Sequence, residues 1–155
     1  MLCLALASAA LIAGRSGAQG NSGAQGNGAN IFAARCAVCH GAQAAGIPGT
    51  FPSLHEQVVN FAKSPEGRDY LIMVVTSGLM GELQVGGVRY NNVMPAQSGL
   101  SETDVAAVLS YLASALGKND PGTAAVSAAD VKEARERHAQ NSAQSTRTLR
   151  PAGNP

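Results

Sequence analysis

The sequence predicts one all-α domain with a single short β-hairpin, on three observations. Apolar residues recur at helical spacing in three separate stretches, two of which open on a capping signal. Alternating apolar residues occur only briefly, around Gly86-Gly87. A length of 155 residues suits one core with some spare chain better than two domains. Composition is 45% hydrophobic but only 4% aromatic, with no Trp, so the core is short of large flat fillers.

The elements follow in chain order. Met1 to Ala13 reads MLCLALASAALIA, an apolar run too short to span a bilayer in the usual way, with small residues suited to cleavage at Ser16-Gly17-Ala18. Residues 1–18 therefore read as an export signal and the mature chain as periplasmic. No Lys or Arg precedes the run, so an uncleaved N-terminus is the alternative and the one route to membrane association. Cys3 lies inside the run and leaves with the signal. The repeat GAQGNS, GAQGNG fills 17–28 with small polar residues, and 19–27 reads as a flexible spacer. The domain itself is expected to span 28–117. A helix starting near Gly28-Ala29-Asn30 carries Phe32, Cys36 and Cys39 at i, i+4 and i+7, along one side. Residues 41–54, rich in Gly and Pro, read as a loop that wraps something without regular structure of its own.

Ser64-Pro65 is an N-cap followed by Pro at the first helical position, and the helix it opens runs through Tyr70, Met73 and Val74 to Gly78. Leu83, Val85, Val88 and Tyr90 alternate around Gly86-Gly87 as a hairpin, and Asn91-Asn92 marks a bend before Met94-Pro95. Ser101 to Asp104 resembles a capping box, followed by Val105, Val108, Leu109, Leu112 and Leu116 at helical spacing up to Gly117. Residues 118–155 lose apolar density and read as a polar tail. It holds one short helix at about 127–140, capped by Ser127 with Asp130, and its end from 141 is expected to be disordered.

Cys36-Ala37-Val38-Cys39-His40 is the C-x-x-C-H pattern that attaches a haem through two thioethers and supplies an axial histidine. Two intervening residues let both sulfurs straddle one haem edge, and the next residue is held under the ring with its nitrogen aimed at the iron. A thioredoxin-like site, half of a zinc site and a structural disulfide use the same spacing. The first lacks a βαβ pattern here, and the second has only His55 and His138 to complete it. One covalent haem c is therefore the expected cofactor, with Cys36 and Cys39 as its attachments and His40 on the metal.

A carrier needs a second axial ligand, and thioether sulfur is a soft donor that favours ferrous iron. Met94 is the expected one, because Pro95 stiffens the backbone behind it and the preceding turn lets the chain approach the iron. Met80, in a loop after Gly78, is the alternative, whereas Met73 sits at helical spacing with core residues. His55 and His138 read as solvated surface histidines.

These residues resemble the class I c-type cytochromes over roughly Gly28 to Gly117. The matching features, in family order, are Gly28 and Phe32, then Cys36 to Gly41, Phe51-Pro52-Ser53-Leu54, Met94-Pro95, and Leu109-Ser110-Tyr111-Leu112. The resemblance implies an all-α fold of three main helices and loops wrapping one haem, with Gly28 and Phe32 crossing Tyr111 and Leu112. It also implies that the carbonyl of Pro52, with Pro48 as runner-up, accepts a hydrogen bond from His40, which fixes the ring and raises its basicity. Tyr90 is expected in the haem pocket. Tyr70 to Tyr111 is similar to single-haem cytochromes that accept electrons from periplasmic alcohol, aldehyde or sugar dehydrogenases. Redox proteins are thus the implied partners: a dehydrogenase as donor, and an oxidase or another cytochrome as acceptor.

With both axial positions filled, the chemistry reduces to one-electron transfer and the protein is a carrier, not an enzyme. A haem enzyme or gas sensor with an open iron position is the alternative function. A net charge of +1 with no basic run among aromatics argues against nucleic acid as a partner.

Overall fold

Among the described residues, four helices begin where a serine hydroxyl takes up backbone N–H groups that the first helical turn leaves free. A computed structural model describes residues 27–118, 120 and 122–152. The expected signal, and all of the spacer except Asn27, lie outside the described residues. Ser64 accepts from Gly67 N–H at 3.0 Å and opens helix α3, Pro65–Ser77, with Pro65 in the first turn. Ser101 and Asp104 form a reciprocal capping box at the start of α4, Glu102–Gly117. Ser127 and Asp130 do the same for α5, Ala128–Arg137. The other helices are α1, spanning 27–40, α2, His55–Ala62, and α6, Ala143–Thr146, which runs into a 3-10 turn at Arg147–Leu149. Strands β1, Leu83–Val85, and β2, Val88–Tyr90, pair antiparallel with Leu83 opposite Tyr90. Gly86 and Gly87 both have positive φ, at 56° and 76°, as the tightest two-residue hairpin turn requires.

Helix α1 crosses α4 at contact distance. A Cβ on Gly28 would collide with the Ala107 carbonyl and lie 2.7 Å from Tyr111 Cβ, so only glycine allows this approach. The ring of Phe32 packs on Tyr111, with centroids 6.0 Å apart. The chain is wound as a π-helix over Phe32–Cys36, with the Ala37 N–H bonded to the Phe32 carbonyl. This corrects the shared face expected for Phe32, Cys36 and Cys39. The wider turn shifts the cysteines round the axis, so Phe32 faces the crossing while both cysteines face a cavity. The core lies between α3, α4 and α5, where Ile72, Val105, Val108 and Val131 are almost fully buried.

Three further features depart from the sequence expectation. Helix α2 forms where no capping signal was read: its N-cap, Leu54, makes no side-chain cap, and the Ser53 hydroxyl one residue earlier accepts from His55 N–H at 3.3 Å. The segment after 117 belongs to the same core, because α5 buries Val131 and Ala134 completely. Arg137 grips Asp69 of α3 through Nε and Nη2, at 3.1 and 2.8 Å, and His138 Nε2 lies 3.5 Å from the same carboxylate. Residues 141–152 are ordered, not disordered as their polarity suggested. Asn141, Ser142 and Ser145 cap α6 and satisfy Thr146, whose side chain is wholly buried. The Ala143 carbonyl accepts from Met80 N–H at 2.8 Å.

Candidate haem site

The last turn of α1 delivers Cys36, Cys39 and His40 to one cavity. Cys36 and Cys39 are not joined in a disulfide. Before any attachment, burial pushes the Cys36 thiol above its ordinary range, with the Arg35 cation opposing. Burial lowers the proton affinity of His40, and the hydrogen bond to Pro52 opposes this only in part, so the imidazole is held neutral. His40 Nδ1 lies 2.9 Å from the Pro52 carbonyl oxygen. A neutral ring that donates from Nδ1 keeps its lone pair on Nε2, the form that binds a metal.

The loop after α1 sets that carbonyl in place. Gly46 N–H donates to the His40 carbonyl at 2.8 Å, and Leu54 N–H to that of Ala44 at 2.9 Å. A side chain at Gly46, where φ is 69°, would put its Cβ 2.6 Å from the Pro52 carbonyl carbon. Pro52, not Pro48, is therefore the acceptor.

Met94 reaches the same cavity from a segment tied to the end of α3. Leu79 and Met94 exchange both backbone hydrogen bonds at 2.9 Å, and Gln97 N–H donates to the Val75 carbonyl at 2.8 Å. Gly78 makes this possible: with φ at 80°, a Cβ there would lie 2.7 Å from the Met94 carbonyl and 2.9 Å from Ala96 N. Asn92 Nδ2 donates to the Thr50 carbonyl at 3.0 Å, joining the Met94 segment to the loop that carries Pro52. Tyr90, buried at the end of β2, also lines the cavity. Met73 is buried in the core beside Thr76, and neither it nor Met80 lines the cavity. His55 is turned away, with Nε2 2.6 Å from the Gln43 carbonyl.

Cys36, Cys39, His40, Pro52, Tyr90 and Met94 thus converge. Sequence reasoning did not find Gly78, Asn92, Gln97 or Arg150, which also lines the cavity. Gly78 left a signal as a helix terminator, and Asn92 as part of the bend before Met94. The others act through contacts between distant segments.

The cavity fits a haem on its own chemistry. Its walls are largely aliphatic, from Val74, Leu79, Leu83, Val108, Leu109 and Leu112, with candidate iron ligands at the α1 end and at Met94 and a few polar side chains, Gln57, Tyr70 and Arg150 among them, elsewhere. Among the described residues no group of three or more His, Cys, Asp and Glu side chains could hold a metal, so the zinc arrangement has no donor set.

A helical fold closed around a C-x-x-C-H cavity defines the class of proteins that carry electrons on covalently bound haem. The comparisons agree: the family model for cytochrome c matches residues 26–116. Cytochrome c-552 of Thermus thermophilus is 41% identical over 110 residues, covering 70% of this chain and 83% of that one. A second cytochrome c-552 from Thermus thermophilus has the same identity over 74% of its length. The chain belongs to the cytochrome c family, as a class I c-type cytochrome: an electron carrier with covalently bound haem c.

Proposed function

We propose that this cytochrome binds its single haem through thioethers at Cys36 and Cys39, with His40 and Met94 as axial ligands. The haem supplies reversible one-electron chemistry at its iron. The protein's residues fix the ligands and keep water out. The carbonyl of Pro52 orients His40, the Leu79 bridge and the Gln97 N–H hold Met94, and aliphatic side chains of α3 and α4 line the pocket. Convergence of His40 and Met94 on one apolar cavity supports this reading best.

The proposed donor is a periplasmic dehydrogenase of the alcohol, aldehyde or sugar class, and the acceptor an oxidase or another cytochrome of a respiratory chain. Residues 1–18 would direct the export that such a role needs. Val38, between the cysteines, and Val93, beside Met94, are 82% and 53% exposed, which suits a small and short-lived redox encounter. The experiment is to compare absorption spectra of wild type, Met94→Ala and Met80→Ala. The reading expects the weak methionine-to-iron charge-transfer band to vanish only in Met94→Ala; its loss in Met80→Ala alone would move the ligand to Met80.

A further inference from the structure

Away from the cysteines, the cavity wall carries polar side chains that the proposed ligation leaves unused. Gln57 of α2, Tyr70 of α3 and Arg150 of the C-terminal segment all line it. The Arg150 guanidinium is held from several sides. Nη1 donates to the Gln84 carbonyl at 2.7 Å, Nη2 donates to Gln57 Oε1 at 2.9 Å, and the Phe61 ring centre lies 5.7 Å from Cζ. The segment is brought there by the bond between Met80 N–H and the Ala143 carbonyl, and by Arg147 donating to the Glu82 carbonyl at 3.4 Å. A cation fixed this firmly at the wall of a mostly aliphatic cavity attracts an anion bound inside it, because low surrounding polarity strengthens the pairing.

A haem attached through its vinyl carbons carries two carboxylates, the propionates, on the ring edge remote from the vinyls. With the vinyl edge fixed at Cys36 and Cys39, the propionates point to the wall remote from α1. Arg35, the other arginine of the cavity, stands beside Cys36. We infer that Arg150, supported by Gln57 and Tyr70, anchors a haem propionate, which makes the C-terminal segment a strap of the haem site. A guanidinium presents paired N–H donors that match a carboxylate. Burial pushes the Tyr70 hydroxyl above its ordinary range, so it stays neutral and can donate. Glu82 and Arg89, paired across the hairpin, and Arg147 are the other charges near this end, and α4 contributes only Val108, Leu109 and Leu112 to the cavity. The inference needs the covalent haem alone and stands whichever methionine binds iron.

The test is the reduction potential of holoprotein against pH in wild type, Arg150→Gln and Arg150→Lys. A carboxylate without its cation favours ferric iron. Arg150→Gln should therefore have a lower potential than wild type above neutrality, and should converge on it as acid protonates the propionate. Arg150→Lys, which keeps the charge, should fall between the two. A potential for Arg150→Gln that follows wild type at every pH, even with a lower unfolding temperature, would overturn the inference and leave Arg150 only packing the segment. If Arg150→Gln does not accumulate as holoprotein, Arg150→Lys decides alone: a lowered potential supports the anchor, and an unchanged one overturns it.

Discussion

Replacing Gly78 by alanine should loosen the segment that carries Met94. Two costs add at this position. The backbone, at φ 80° and ψ −179°, lies in a region that side-chain-bearing residues rarely enter, which costs about 1–3 kcal/mol. The added methyl would also meet the Met94 carbonyl at 2.7 Å and Ala96 N at 2.9 Å, and such overpacking costs about 1–3 kcal/mol more. Because both neighbours are backbone, no side chain can swing aside, and the relief must come from moving residues 94–96. The expected loss is about 3 kcal/mol or more, read by denaturant unfolding. Gly87→Ala is the control: φ is 76° there, but a Cβ would meet nothing within 4 Å, so only backbone strain remains. Beyond stability, Gly78→Ala should weaken the methionine-to-iron charge-transfer band while Gly87→Ala preserves it. Equal stability losses in the two variants, with the band intact in both, would refute the close approach inferred here.

Other substitutions test how the rest of the fold is held. Val131→Ala, at a fully buried site in α5, should cost about 2 kcal/mol while unfolding stays a single transition, since the segment after 117 shares the core; a separate early transition would show it folding apart. Ser127→Ala removes a reciprocal cap and should cost about 1 kcal/mol in thermal or denaturant unfolding. The Ser127 backbone N–H, then its hydroxyl, hold the Asp130 carboxyl below its ordinary range. A carboxyl depressed on folding contributes stability that is fully present above its unfolded value and is lost as pH falls through its folded one. The penalty of Ser127→Ala should therefore shrink in acid, and a penalty that grew there would contradict the cap.

Much of the fold was legible because its signals are local. Ser64-Pro65, Ser101 with Asp104 and Ser127 with Asp130 each announce a helix within four residues, and each cap forms. Helix α2 was not legible because its N-cap position holds Leu54, and the hydroxyl that reaches its first turn belongs to Ser53, one residue earlier. The ordered stretch at 141–152 was hidden for another reason: its polar residues satisfy one another, and Arg150 finds Gln57 at 93 positions' separation. At the site, spacing alone pointed to Cys36, Cys39 and His40, and the turn before Pro95 pointed to Met94. The supports at Asn92, Gln97 and Arg150 are tertiary, and composition gives no sign of them. The π-wound turn at Phe32–Cys36, which turns the cysteines away from the Phe32 face, has no sequence signal that we can name.

With iron closed by His40 and Met94, as proposed, this cytochrome would only exchange electrons. Adding carbon monoxide to the reduced holoprotein at neutral pH tests it most directly. The ferrous spectrum should stay nearly unchanged in wild type and shift at once in Met94→Ala. Immediate carbon monoxide binding by wild type would mean an open iron position, and a haem enzyme or gas sensor would replace the carrier.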